Sequence, residues 1–235
     1  MSPRRTAALR GFRASAPFAI VMLPFGILFG VIATESGLTL PQTIGFSVLV
    51  VAGAAQFAAV QMMADNAPVL VIIATALAVN LRMAMYSAAL TPHLGTAPGW
   101  LRATIAYVLT DQTFAVAAVD YDRRPAQRPG EKAAFFFGSV LPVCPVWYLS
   151  TALGAQLGTA IPPALSIDFA VPLTFIAIVA PLLRSPAHIA AAVVSVALAL
   201  GLAGLPYNTG LLLAAAGAMA TGALTEIWLE RGVRA

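Results

Sequence analysis

Apolar runs of nearly twenty residues, almost free of charge, recur from residue 16 to residue 229 and constrain this chain more than any other feature. A helix that crosses the hydrocarbon core of a bilayer needs about 20 mostly apolar residues. Hydrophobic types make up 60% of the 235 residues and charged types 9%, where a soluble domain carries about 25% charged residues. Such a chain cannot cover a water-facing surface, so the fold class is an all-α polytopic membrane protein. Eight segments are expected, with seven as the alternative count: 16–34, 43–64, 68–90, 101–119, 133–153, 165–183, 188–205 and 210–229. Four arginines (Arg4, Arg5, Arg10, Arg13) precede the first run. That run continues past signal length without a small-residue exit, so it is expected to stay as a membrane anchor.

Lys and Arg in short loops set orientation. They gather before the first segment, in 120–132 (Arg123, Arg124, Arg128, Lys132) and at the C-terminus (Arg231, Arg234). Both termini and loop 120–132 are therefore expected in the cytoplasm, and Arg184 falls on the same side. Arg102 is the exception, at an outer boundary. The net charge of +4 is small and scattered, which argues against nucleic acid as a partner. The single cysteine, Cys144, permits no disulfide within the chain and reads as a small buried apolar residue.

An internal repeat is visible at an offset of 121: Pro24, Gly37 and Pro41 recur as Pro145, Gly158 and Pro162, and Ala76–Ala78 lies over Ala197–Ala199. It divides the chain into a first half, 1–119, a basic loop, 120–132, and a second half, 133–235. Four segments per half make the halves parallel; an inverted arrangement needs an odd number, for instance with one segment re-entrant. Pro24 interrupts the first segment, Pro142 and Pro145 the fifth, and Pro172 and Pro181 mark the sixth. A proline in a helix frees a backbone carbonyl, which a membrane tolerates where it faces protein or a wet cavity. Pro24 and Pro145 therefore mark a substrate path.

Polar groups inside the segments are functional candidates, because they are costly there. Asn80 and Arg82 lie two residues apart in the third segment, about 200° round a helix, and so on different faces. Arg82 keeps its proton. It pairs with a carboxylate of the bundle, receives a substrate carboxylate, or snorkels outward. Asp111, between Thr110 and Gln112, is the best-placed intramembrane acid, and Asp168 opens the sixth segment. An acid out of water can load and release a proton near neutral pH, so these two are the candidates for proton coupling; the competing reading pairs Asp111 with Arg82. Glu35 and Asp65 read as solvated loop-edge acids, and Glu226 as snorkelling.

The stretch GAAQFAAVQ, 53–61, places Gln56 and Gln61 in a small-residue surface that begins at Gly53. Two readings stand. Gln56 ties its helix to a neighbour, or the stretch is unwound and Gln56 lines a cavity suited to a small zwitterion with an apolar side chain.

PFGILFG from Pro24, AGAAQFAA at 52–59, NLR at 80–82, TDQTFA at 110–115 and DFAVPLTFIAIVAPLL at 168–183 resemble the large subunit of the AzlC-type branched-chain amino acid exporters, in order and spacing over nearly the whole chain. The resemblance implies an inner-membrane permease that works with a small AzlD-type membrane subunit and exports valine, leucine, isoleucine and in some cases methionine. Gln112 stands where the family pattern has an acid, which weakens any role that needs two adjacent carboxylates. The chain contains no G-x-x-x-x-G-K-[ST] motif, so ATP drive is not expected. It has neither an H-E-x-x-H nor a G-x-S-x-G motif, and its two histidines, His93 and His188, read as residues of separate loops. No enzyme, metal or cofactor is expected. The competing function is a scaffold or sensor subunit that does not itself transport.

Overall fold

The computed structural model describes residues 2–158, 183, 185–205 and 209–234, the last with side chains to residue 229. Regular structure among these residues is helical: α1 (Pro3–Glu35), α2 (Leu40–Leu49), α3 (Gly53–Ala64), α4 (Val69–Leu94), α5 (Gly99–Tyr107), α6 (Asp111–Arg123), α7 (Pro129–Val140), α8 (Cys144–Gly158), α9 (Pro186–Gly201) and α10 (Thr209–Arg234). Four are long and apolar enough to cross a membrane: α1, α4, the α7–α8 stretch and Thr209–Leu229 within α10. Pro162, Asp168, Pro172, Pro181 and Arg184, with most of the sixth segment, lie outside the described residues. The chain forms two compact units, one drawn from Met1–Gln61 and Ala76–Ile161, the other from Met62–Thr75 and Pro162–Ala235.

The first unit is built on α1 lying along α7 and α8. Glycines set how close they come. A Cβ at Gly11 would lie 2.0 Å from the Phe135 carbonyl oxygen, one at Gly30 2.2 Å from that of Thr151, and one at Gly154 2.0 Å from that of Ile27. Ser15, wholly buried, donates to the Ser139 carbonyl at 2.8 Å. Without a hydrophobic drive between helices in lipid, close backbone approach and buried hydrogen bonds of this kind hold them together. The paired numbers rise together, 11 with 135, 15 with 139 and 30 with 151, so α1 and α7–α8 run parallel.

Contrary to expectation, Pro24 does not interrupt α1, which runs unbroken through both Pro17 and Pro24. Each proline removes one donor, and the packed seam on either side of Pro24 keeps the segment helical through the loss. The fifth segment is broken, at 141–143, beside Pro142. Pro145 sits in the first turn of α8, where a missing N–H costs little.

The second and fourth apolar stretches, expected to cross, fold back instead. α4 leads toward the N-terminal end of α1: its Leu90 and Leu94 share a buried cluster with Ala7, Tyr121 and Ala133, and His93 contacts Lys132. α5 starts at that end and α6 returns to it, because Asp111 meets Arg82 and Tyr86 in mid-α4 while Tyr121 meets His93 in its last turn. α5–α6 is thus a re-entrant hairpin of helices. α2–α3 is a second one, entering from the opposite end. α2 descends from the C-terminal end of α1, with Phe46 beside Phe29. α3 climbs again: Gly53 lies against Phe25, and Phe57 against both Phe25 and Phe29. α2, α3, α5 and α6 hold 10, 12, 9 and 13 residues. At about 1.5 Å per residue each reaches roughly half-way through a core of about 30 Å. Hydropathy counts apolar residues without giving their direction, so one crossing and two half-crossings look alike in sequence.

This topology corrects Arg102. It lies at the same end as the N-terminal arginines and donates to the Gly95 carbonyl, so the basic residues of this unit other than Arg82 gather at one end. In the second unit α9 and α10 pack antiparallel, with Gly210 against Leu202, Gly217 against Leu198 and Gly222 against Ala191.

Two outcomes test this architecture. In a Cys144→Ala background, a membrane-impermeant thiol reagent should reach Thr96→Cys from the face that exposes Gln127→Cys and not from the face that exposes Leu38→Cys; straight crossings by the second and fourth stretches reverse the result for Thr96. Gly154→Ala should lower stability by about 1–3 kcal/mol through overpacking, measured by thermal unfolding in detergent. Gly45→Ala, where a Cβ meets nothing within 4 Å, should not lower it.

Candidate functional site

The two hairpin tips, 50–52 and 108–110, meet inside the first unit. At each tip helix ends open, and an open helix end leaves backbone groups without partners. In hydrocarbon each such group costs several kcal/mol. Side chains satisfy them here. The Gln56 amide, wholly buried, donates to the Val50 carbonyl at 2.7 Å, the Phe46 carbonyl at 3.2 Å and the Ser47 hydroxyl at 3.4 Å. The Tyr107 hydroxyl, on the last residue of α5, donates to the Val48 carbonyl and so links the two tips. The geometry follows the first reading of Gln56: it ties α3 to the end of α2. The Gly/Ala stretch is helical from Gly53, not unwound, and the non-helical residues 50–52 lie just before it.

On the second hairpin, Thr110 caps α6, its hydroxyl accepting from the Thr113 N–H while the Thr113 hydroxyl accepts from the Thr110 N–H. Asp111 follows as the first residue of α6, where the helix dipole favours a negative charge. One carboxylate oxygen lies 3.1 Å from Arg82 Nη1 and the other accepts from the Tyr86 hydroxyl at 2.9 Å. Tyr86 in turn stacks on Phe114 at 4.2 Å. Of the partners open to Arg82 in the sequence, the structure places it on Asp111. The pair is not sealed: its side chains are 34% and 39% exposed.

On the first hairpin, the tip rests on aromatic rings. Trp147 lies 5.8 Å from both Phe25 and Phe29, and Phe57 lies 4.8 Å and 5.4 Å from the same two. Gly53 makes the contact possible, since a Cβ there would be 3.0 Å from Trp147. Three buried polar atoms nearby have no hydrogen-bond partner: Gln56 Oε1, Trp147 Nε1 and, one turn further along α8, Thr151 Oγ1. Asn80 Oδ1 and Arg82 Nε are likewise buried without partners.

Among the expected site residues, Gly53 and Gln56 stand at one tip and Asp111 and Arg82 at the other, and the Tyr107 link joins the tips. Pro24 and Pro145 are both exposed, and the structure does not bring them into the aromatic cluster. Asp168 lies outside the described residues. Sequence reading missed Tyr86, Tyr107, Phe29 and Trp147, since an aromatic in an apolar run carries no signal of its own. The break before Asp111 did carry one: Thr110 and Thr113 have capping spacing. His93, expected in a loop, occupies the last turn of α4. Its Nδ1 lies 3.0 Å from Lys132 Nζ, which stands over the Tyr121 ring. Among the described residues no group of acids, histidines and cysteines could hold a metal ion.

The model of the AzlC protein family matches residues 17–161. The inner membrane protein YgaZ of Escherichia coli is 26% identical over 161 residues, covering 68% of this chain and 64% of that protein. Uncharacterized membrane proteins of Helicobacter pylori and Archaeoglobus fulgidus are 25% and 28% identical, covering 64% and 65% of this chain and 66% and 63% of theirs. The chain thus spans just under two thirds of the length of these relatives. No solved structure matches it.

Gln56→Leu should destabilise the protein by about 1–3 kcal/mol, because it removes the hydrogen bonds of a wholly buried amide to the Phe46 and Val50 carbonyls and the Ser47 hydroxyl. Gln61→Leu, on an exposed side chain, should be close to neutral. Thermal unfolding in detergent compares the two.

Proposed function

This chain is a membrane protein belonging to the AzlC family, and from that premise we propose that it is a secondary transporter exporting branched-chain amino acids (valine, leucine, isoleucine) and in some cases methionine across a bacterial inner membrane. The observation that carries the reading is the meeting of two re-entrant helix hairpins. Broken helices place helix termini and free polar groups at mid-membrane, where transporters bind small solutes. An apolar amino acid offers a carboxylate, an ammonium group and a branched hydrocarbon. The α3 N-terminus at Gly53 and the Trp147 N–H suit the first, Gln56 Oε1 the second, and Phe25, Phe29 and Phe57 the third.

The half-open Arg82–Asp111 pair supports the same reading. Ions at that depth do not face hydrocarbon. The pair therefore lines a polar path or lies under a second protein, and we assign the cover to a small AzlD-like membrane subunit. With positive residues inside, the basic end of the first unit is cytoplasmic, as are both termini. The parallel run of α1 and α7–α8 supports two related halves. We assign the chain no catalytic activity, cofactor or nucleic-acid partner.

Uphill export needs a driving force, and protons supply it in this scheme. Asp111 is the first candidate carrier; its ion pair with Arg82 is the arrangement of the competing structural reading, so proton uptake there has to displace Arg82. Asp168 is the second candidate.

The reading is tested with labelled valine in everted vesicles carrying the chain with its small partner. Wild type should accumulate valine when a proton gradient is imposed. Asp111→Asn should abolish accumulation while keeping downhill exchange within about threefold, a difference of less than about 1 kcal/mol in the barrier. Intact accumulation in that variant would transfer the role to Asp168. Absence of any valine flux in the wild-type complex would favour the scaffold or sensor reading.

A further inference from the structure

A groove of about 500 Å³ runs between α1 and α6 at the basic end of the first unit. Its rim carries Arg10, Arg13, Arg123 and Arg124 and a single acid, Asp120. Asp120 is already shared: it lies 3.0 Å from Arg10 and 3.5 Å from Arg124. Arg13 and Arg123 are exposed and make no ion pair among the described residues. The rim thus keeps an excess of guanidinium groups, which match a phosphate in a planar, two-pronged way.

Deeper in the groove the lining changes character. α1 passes from Arg10 and Arg13 to Phe18 as it leaves the basic end, and α6 passes from Arg123 back through Val119 to Val116. Because α1 and α6 run antiparallel here, both walls lose charge in the same direction, toward mid-membrane. Val119 is half exposed within this lining. An anionic head at the rim with a hydrocarbon tail pointing inward satisfies both parts of the gradient. A soluble anion would use the rim alone, and a protein helix would leave the extra arginines unmatched.

We propose that this groove is a binding site for an anionic phospholipid, with its phosphate among Arg10, Arg13 and Arg123 and an acyl chain along Phe18, Val116 and Val119. The site lies where α6 returns to the basic end, so a bound lipid braces the hairpin that carries Asp111 against α1. The proposal does not depend on which solute the protein carries.

The experiment uses the full chain in detergent, with phosphatidylglycerol and phosphatidylcholine of identical acyl chains, read by native mass spectrometry. Phosphatidylglycerol should be retained preferentially. Each of Arg13→Ala and Arg123→Ala should weaken its retention about fivefold, the effect of roughly one basic residue at an anionic surface, with thermal stability unchanged. Equal retention of the two lipids by wild type would overturn the proposal, as would unchanged retention in the double variant. Full displacement of phosphatidylglycerol by millimolar inorganic phosphate would also overturn it, identifying a soluble-anion site. A photo-crosslinking residue in place of Val119, activated in cell membranes, gives a second readout that does not rely on the arginine variants. A phospholipid adduct supports the proposal, and a protein adduct overturns it.

Discussion

A helix that stops half-way through a bilayer exposes backbone carbonyls and N–H groups where water cannot reach them, and the first unit depends on satisfying these groups. Gln56 and Tyr107 do so from the side-chain level, Gln56 by spanning the end of α2 and Tyr107 by reaching from one tip to the other. Thr110 and Thr113 do so locally for α6. Irregular backbone at membrane depth is tolerated only where it is buried in protein or lines a cavity. The first tip packs on Phe25 and Phe29 of α1 and Trp147 of α8, so the long parallel pair and that hairpin stabilise one another.

The seam between α1 and α7–α8 gives that frame its rigidity. Its contacts are backbone against backbone, at glycines where a methyl group would collide with a carbonyl oxygen. Such a surface has few ways to slide, because packed interfaces hold discrete arrangements rather than deforming continuously. The hairpins are held differently. Their tips rest on a few side-chain hydrogen bonds and one ion pair that is a third exposed. If parts of the molecule change arrangement during transport, this difference assigns the motion to the hairpins and the fixed reference to the seam. Asp111 ties the second hairpin to α4, since its carboxylate binds both Arg82 and Tyr86 there while its backbone opens α6.

Charge distribution follows from the same topology. With α5–α6 entering and leaving at one end, Arg102 joins Arg4, Arg10, Arg13, Arg123 and Arg124, and buried Lys132 finds His93 and Tyr121 beside it. A straight fourth crossing would have stranded Arg102 at the opposite end. The acid among these arginines, Asp120, is shared rather than matched one to one, which leaves the basic end with a surplus that an anionic membrane surface can neutralise.

The sequence by itself determined the class of fold, the long helices and the residue types at the centre. Apolar runs almost free of charge can only be membrane helices, and Gln56, Arg82 and Asp111 stood out because polar groups in such runs demand a partner. The family, too, was legible in the short motifs around these residues. Tertiary structure decided direction and partnership. A stretch such as 101–119 has the composition of a crossing helix whether it crosses or turns back, because hydropathy is a scalar and the turn at 108–110 carries neither charge nor proline. Pro24 looked like a break and was not, because a lost hydrogen bond in a helix is outweighed where glycine packing grips both sides. That Arg82 meets Asp111, and that Gln56 closes the end of α2, follows from contacts between residues 6 to 29 positions apart, which only the folded chain brings within hydrogen-bond distance.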